Sequence, residues 1–205
     1  MSFNMTKSVV AFIVISFGVA AFSFVVWVLP GFFITPHLAK LTDAKPYSPL
    51  QLEGRDVYMS QGCHVCHTQM VRNLEAERLR YGRANKMEDD IYEHTFLWGS
   101  SRIGPDLTNI GLKYTEDWQI QHLKDPQSLV PESIMPPFIW LFDQPVDSSI
   151  TAKKMQALRE LGVPYSDEEI ANAEQAVNGK TKGDALVAYL MSLGVDTHKN
   201  KKDLQ

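Results

Sequence analysis

Residues 63–67 read Cys63-His64-Val65-Cys66-His67, and this stretch organises the interpretation of the whole chain. A Cys-x-x-Cys pair followed at once by histidine is the attachment signal of a c-type haem. In such a site the two thiols bond covalently to the haem vinyl groups, and the adjacent imidazole ligates the iron. We therefore predict one haem c, attached to Cys63 and Cys66, with His67 as an axial ligand.

The same cysteine spacing also occurs in redox disulfides and in zinc sites. A zinc ribbon needs a second cysteine pair, whereas Cys63 and Cys66 are the only cysteines of the chain. A thioredoxin-like motif opens a helix within a β/α alternation, but this motif follows a predicted helix and no such alternation is visible. These two alternatives are therefore disfavoured.

The length and net charge of the chain limit which other classes of protein are possible. A chain of 205 residues fits one domain with a small additional element. The net charge of −4 is mild and gives no indication of a nucleic-acid partner. The apolar residues are concentrated near the N-terminus.

Residues 8–36 contain no charged side chain. This uncharged stretch is longer than the roughly 20 apolar residues needed to cross a lipid bilayer. A cleaved signal peptide is the alternative, with Lys7 before it and residues 19–21 as the cleavage site. The apolar run continues well beyond residue 21, which favours a retained transmembrane helix. We predict an anchor with a short stalk at 1–40 and a haem domain at 41–205.

The predicted haem site indicates how the chain is oriented across the membrane. Covalent haem attachment in bacteria takes place outside the cytoplasmic membrane. We therefore expect a single-pass protein of the bacterial inner membrane, with a cytoplasmic N-terminus and a periplasmic domain.

The second axial ligand must come from farther along the chain. Thioether sulfur is a soft ligand that raises the potential of haem iron relative to a second histidine. Met135 lies within Pro131-Glu132-Ser133-Ile134-Met135-Pro136-Pro137, where the prolines exclude regular helix or central strand and stiffen a loop. Met70 is too close to His67 to reach the opposite haem face. We predict Met135 as the ligand. Weaker axial candidates are His64, His94 and His122.

The surroundings of the haem can also be predicted. Residues 104–107 resemble the Gly-Pro-x-Leu of small cytochromes c, in which the proline carbonyl accepts the ring N–H of the proximal histidine. The resemblance implies a hydrogen bond between Pro105 and His67. Candidate contacts of the haem edge and its propionates are Arg72, Arg80, Trp98, Arg102, Tyr114 and Trp118, although an ordinary packed or solvated role suits each of them equally well.

Helical patterns predict an all-α fold, with one N-terminal transmembrane helix and a domain like that of class I cytochromes c. The predicted helices run from Pro49 to about Ser60 after a capping box at Ser48, from about Thr115 to before Pro126, from Thr151 to Leu161, from Ser166 to about Val177, and from Asp184 to Leu193.

Between about Pro46 and Gly194 the chain resembles one particular family. The motifs are Gln69-Met70-Val71-Arg72, Arg80-Tyr81-Gly82, Trp98-Gly99-Ser100, Gly104-Pro105-Asp106-Leu107 and Pro131-Glu132-Ser133-Ile134-Met135-Pro136. Together they resemble the mono-haem subunit II of cbb3-type cytochrome c oxidases. The chain departs from that pattern at Thr95, Ser101 and Gln119, where proline, lysine and histidine are expected.

The resemblance implies electron transfer inside a respiratory complex. The di-haem subunit would pass electrons to this haem, and the catalytic haem–copper subunit I would receive them to reduce oxygen to water with proton pumping. The resemblance also implies a calcium ion at the interface with the catalytic subunit, near residues 98–102.

Two other functions remain open from the residues alone. The anchored cytochrome subunit of a nitric oxide reductase has the same plan, but the long segment after Met135 argues against it. A haem sensor or peroxidase with an open iron position requires that Met135 is not a ligand.

Overall fold

A computed structural model describes residues 8–33 and 44–195. These residues form helices, turns and loops, and the only β-type pairing among them is a bridge between Pro145 and Thr181. The prediction of an all-α fold is therefore confirmed. The chain divides into two compact units, residues 1–42 and 43–205.

The first unit contains helix α1, Val9–Phe33, which is 25 residues long. The Ser8 side chain caps its start by accepting a hydrogen bond from Ala11 N at 3.3 Å, and a π-helical turn occupies Phe24–Val28. No residue of this helix is buried against other parts of the protein. At about 1.5 Å of rise per residue, the helix is long enough for a hydrocarbon core of about 30 Å. Its length and composition therefore allow it to cross a membrane, as predicted.

Helix α2, Pro49–Ser60, begins at the predicted capping box. Ser48 Oγ accepts from Gln51 N, and Gln51 Oε1 accepts in return from Ser48 N at 2.8 Å. The proline at its first position suits a helix start because its missing N–H has no partner to lose there. Both features were readable from the sequence.

The remaining helices of the second unit follow in chain order. They are α3 Cys63–Cys66, α4 Glu75–Tyr81, α5 Glu116–Lys124, α6 Pro126–Leu129, α7 Thr151–Glu160, α8 Asp167–Val177 and α9 Lys182–Ser192, with short 3-10 turns at Ile110–Leu112, Ile139–Phe142 and Ser148–Ile150. Helices α3, α4 and α6 were not predicted, because segments of one or two turns show no apolar periodicity.

Two hydrophobic clusters hold the second unit together. The first is built mainly from α2 and α9 and includes Tyr58, Leu123, Leu186 and Tyr189. The second lies where α7 and α8 pack on α2, around Leu52, Met155, Val163, Tyr165, Ile170 and Ala173.

Helix α9 begins two residues before the predicted start. Thr181 Oγ1 accepts from Asp184 N at 3.1 Å, and Asp184 Oδ2 accepts from Thr181 N at 2.9 Å. This capping box has aspartate at its third position, so Asp184 lies inside the helix that it was predicted to open.

The end of α7 also differs from the prediction. The helical spacing of the sequence predicts that Met155, Leu158 and Leu161 lie on one apolar face. Met155 is fully buried, whereas Leu161 is 62% exposed. The helix ends at Glu160, and the turn at Gly162, with φ of +100°, directs the chain away. The sequence also predicts His37 and His198 as surface residues. Both lie outside the described residues, as does the predicted stalk from residue 34 to residue 40.

Candidate haem site

The Cys-x-x-Cys-His segment forms a single helical turn. Gly62 separates α2 from α3 and has a φ of +72°. Glycine adopts this left-handed backbone conformation readily, whereas residues with a side chain disfavour it. Cys63 and Cys66 both carry free thiols and are not joined to each other. Burial raises the pKa of the Cys63 thiol to about 11. The two thiols therefore stand on one helical turn directly before His67.

His67 is held through both its ring and its backbone. Its Nδ1 lies 2.9 Å from Pro105 O, so Nδ1–H donates to that carbonyl and Nε2 remains for a metal ion. The hydroxyl of Tyr58, which is fully buried on α2, donates to the backbone oxygen of His67. Burial lowers the pKa of the His67 imidazole, which favours the neutral form that ligates metals.

The loop that carries Pro105 pairs with the strand-like segment after the motif. Gly104 N donates to Cys66 O at 2.9 Å, and Leu107 N donates to Thr68 O at 3.0 Å. A Cβ atom on Gly104 would lie only 2.6 Å from His67 Nδ1. Glycine at this position is therefore what allows the His67 ring to lie against the loop.

Asp106 attaches the same loop more firmly. Its carboxylate is buried and accepts from Met70 N at 2.8 Å, from Thr108 N at 3.0 Å and from Thr68 Oγ1 at 3.2 Å. Because Asp106 directly follows Pro105, these bonds also fix the carbonyl that His67 contacts.

Arg102 and Arg72 share a carboxylate instead of pointing to open solvent. Both guanidinium groups donate to Glu77, which Arg102 Nη2 approaches to 2.9 Å, and Arg102 Nη1 lies 3.6 Å from Asp106. The paired Arg72 is the main reason that the pKa of Glu77 is lowered to about 2. Arg102 Nε is buried without a partner among the described residues. The predicted haem contact of these arginines stays a prediction, and the structure gives their charged ends this additional role.

Trp98 and Arg80 lie among other surface groups. Trp98 is 43% exposed, donates from Nε1 to Asp90 at 2.9 Å, and stacks on Phe96 with ring centres 4.4 Å apart. The Arg80 guanidinium lies over the Tyr81 ring at 5.3 Å.

Helix α5 presents a column of aromatic rings. Tyr114 stacks on Trp118 at 3.8 Å, and Trp118 stacks on His122 at 4.6 Å. Burial and the nearby His67 lower the pKa of His122, so His122 lies within electrostatic reach of the proposed proximal ligand.

Two nitrogens on α5 are buried without a hydrogen-bond partner in the described part of the chain. They are His122 Nδ1 and Gln119 Nε2, one helical turn apart. Buried polar atoms nearly always have a partner. Haem carboxylates would supply acceptors of the right kind. Gln119 drew attention in the sequence only as a departure from the family pattern.

Met135 lies in an irregular loop, as predicted. The loop is tied to α5 by Phe138 N, which donates to Leu123 O at 2.7 Å. Met135 is half-buried and packs against the same α2–α9 cluster as Cys63. The fold thus brings a thioether from residue 135 and a thiol from residue 63 to one core.

Two of the weaker histidine candidates are exposed to solvent. His64 and His94 are exposed, and the His94 carbonyl accepts from Arg55 Nη1 at 3.1 Å. Among residues 8–33 and 44–195, no group of three or more histidine, cysteine or acidic side chains is arranged to hold a metal ion. Residues 98–102 therefore form no calcium site from such side chains of this chain.

The residues present fit a haem c. Two thiols precede a histidine whose Nε2 is available, and a methionine packs on the same core. Two buried nitrogens have no acceptor among the described residues. An all-α fold with such a site defines the class of membrane-anchored cytochromes c.

The comparison with protein families specifies the class further. Residues 3–186 match the family described as cytochrome C oxidase, mono-heme subunit/FixO. The chain belongs to this family, and it is therefore a one-haem subunit of a cytochrome c oxidase complex. A comparison with curated protein sequences gave no significant match.

Proposed function

We propose that this subunit carries electrons one at a time within a cbb3-type oxidase. It accepts them from the di-haem subunit and passes them to the catalytic haem–copper subunit I, which reduces oxygen to water and pumps protons. The family membership and the Pro-Glu-Ser-x-Met-Pro resemblance support this assignment. The observation that carries it is the His67–Pro105 contact, because it leaves Nε2 as the ring atom for iron.

Four residues hold the cofactor in this proposal. Cys63 and Cys66 bond covalently to it, and His67 and Met135 are the axial ligands. A bound haem c supplies a one-electron carrier, whose potential depends on axial ligands, hydrogen bonds and burial. With both axial positions filled by the protein, the site has no position for a substrate. The chain's own task is to position the haem edge and set its potential.

We propose the same division of the chain as above, with an anchor and stalk at 1–40 and a haem domain at 41–205. Helix α1 lies in the bacterial inner membrane, the N-terminus is cytoplasmic and the haem domain is periplasmic. The apolar, unburied surface of α1 supports contact with lipid.

We also propose a calcium ion where residues 98–102 meet the catalytic subunit. Calcium prefers oxygen ligands. Residues 98–102 carry no carboxylate, so this stretch would contribute backbone or hydroxyl oxygens. Calcium analysis of the purified complex, before and after chelation, tests this assignment.

The Met135→Ala variant in the intact complex tests the central assignment. We expect loss of the near-infrared band that reports methionine–iron charge transfer, together with new carbon monoxide binding to the haem c. The control is Met87→Ala, which alters an exposed methionine and should leave the spectrum unchanged. An unaltered near-infrared band in Met135→Ala would contradict the ligand assignment and favour a search for another axial residue.

A further inference from the structure

A buried pair of opposite charges lies beside the proposed proximal ligand. The Asp106 side chain has no exposed surface, and Arg102 Nη1 approaches its carboxylate to 3.6 Å. Asp106 directly follows Pro105, whose carbonyl oxygen is 2.9 Å from His67 Nδ1. Neither charged group is needed as a ligand, and burying a charge is costly unless hydrogen bonds compensate.

Hydrogen-bond donors surround the buried Asp106 carboxylate. Two backbone N–H groups, from Met70 and Thr108, donate to it at 2.8 and 3.0 Å, and the Thr68 hydroxyl lies 3.2 Å from it. These hydrogen bonds offset the cost of burying the carboxylate. The field of this charge reaches the His67 imidazole and partly offsets the effect of burial on its pKa.

Arg102 compensates Asp106 only in part. Its second terminal nitrogen donates to Glu77 at 2.9 Å, and Glu77 is also bound by Arg72. The positive charge of Arg102 is therefore divided between two carboxylates. Its side chain is 20% exposed, whereas that of Asp106 is fully enclosed.

We propose that Asp106 and Arg102 tune the reduction potential of the haem iron in opposite directions, the carboxylate lowering it and the guanidinium raising it. Ferric haem carries one more positive charge than ferrous haem, so a buried anion nearby stabilises the oxidised state. The inference rests on the proposed function, specifically on iron ligation by His67.

Asp106 also lowers the reduction potential indirectly, through the hydrogen bond between Pro105 and His67. Its bonds hold the Pro105 carbonyl against His67 Nδ1, and that hydrogen bond makes the imidazole a stronger electron donor to the metal. Loss of the carboxylate would loosen the contact and again raise the potential. Asp106 is therefore a positioning residue as well as a source of charge.

The test is a redox titration of the haem c in the intact complex, for the unmodified protein and for the variants D106N and R102Q. We expect the midpoint potential to rise in D106N and to fall in R102Q. Simple loosening of the site would admit water and shift both potentials in the same direction. Asp147→Asn is the matched control, because Asp147 is an exposed carboxylate that caps a surface turn. The midpoint potential of the haem c should not change in this variant.

A third variant keeps the test decisive if D106N does not fold. R102K retains the positive charge, so its potential should stay near that of the unmodified protein while that of R102Q falls. Equal potentials in R102K and R102Q, or shifts of the same sign in D106N and R102Q, would overturn the inference. Covalent haem is measured on every sample; its absence from the unmodified chain would instead refute the proposed function.

Discussion

At the scale of single residues, His67 is fixed from two sides. Its ring donates to Pro105 O at 2.9 Å, and its backbone oxygen accepts from the buried Tyr58. The sequence identified Cys63, Cys66 and His67 because motif and chemistry coincide there. The role of Tyr58 is not visible in the sequence, because only the folded structure brings its hydroxyl to the backbone oxygen of His67.

The first prediction concerns Gly104. In Gly104→Ala the new methyl group would lie within 3 Å of the His67 ring, at 2.6 Å from Nδ1, so the imidazole or the loop must move. We expect a lower covalent haem content and a changed haem c spectrum, measured on purified complex. Gly18→Ala is the control, because nothing lies within 4 Å of its added methyl group. An unchanged spectrum with full haem content would contradict the proposed packing of His67.

The second prediction concerns pH. Burial raises the pKa of the Asp90 carboxyl to about 6, although Trp98 and Asn85 donate hydrogen bonds to it. A raised folded-state pKa means that stability is highest when the group is protonated and is lost as pH rises through about 6. The unfolding free energy of the unmodified protein, relative to Asp90→Asn, should therefore fall by on the order of 2 kcal/mol between acidic and neutral pH.

Denaturant unfolding of both proteins in detergent, at several pH values between about 4 and 7, measures this difference. Asp147→Asn serves as the control, because hydrogen bonds from Ser149 lower the pKa of Asp147, so its contribution to stability should stay constant over this pH range. If the unfolding free energies of the unmodified protein and Asp90→Asn differ by the same amount at every pH, the raised pKa of Asp90 is contradicted.

At the scale of elements, the contact between α2 and α9 forms the main core. The two helices approach so closely at Gly54 that a side chain there would overlap the Ala185 carbonyl oxygen. The helix starts at Ser48 and Ser166 were predictable from their capping boxes, because capping is local. The pairing of α2 with α9 joins segments far apart in sequence, so no local pattern reveals it.

The third prediction concerns this helix pair. Glycine to alanine in a helix interior normally stabilises by about 1 kcal/mol. In Gly54→Ala the overlap with the α9 backbone should reverse the sign and destabilise the protein by about 3 kcal/mol or more. Thermal or denaturant unfolding of the purified chain measures the effect. Gly18→Ala, where nothing lies within 4 Å of the added atom, is the control and should show no destabilisation. A Gly54→Ala protein as stable as the unmodified one would show that the helices are not in this contact.

At the scale of the whole molecule, the chain consists of an apolar helix that could cross a membrane and a second unit that carries the candidate haem site. Helix α1 has no buried residue and is 25 residues long, whereas the second unit buries two clusters of its own. The division follows from composition, because a long uncharged segment suits lipid and the rest of the chain can form a core in water.

The fourth prediction is that α1 is retained in the mature subunit. Its apolar surface continues past the signal-peptidase-like residues 19–21 as far as Phe33. Peptide mapping of the purified complex should recover residues 8–21, and the subunit should stay in the membrane fraction after alkaline washing. A mature chain that begins at residue 22 would support the signal-peptide alternative instead.

The sequence by itself determined the class of fold, the membrane helix, the haem motif and the family resemblance. These features depend on residue type, composition and local spacing, and the matching family model confirms the resemblance. Only the tertiary structure decided that Asp106 is buried beside Pro105 and that Arg102 is shared between Asp106 and Glu77. It also decided that Gln119 Nε2 is buried with no partner among the described residues. Burial and charge pairing arise when distant segments pack together, so their energetic effects cannot be assigned from the order of residues alone.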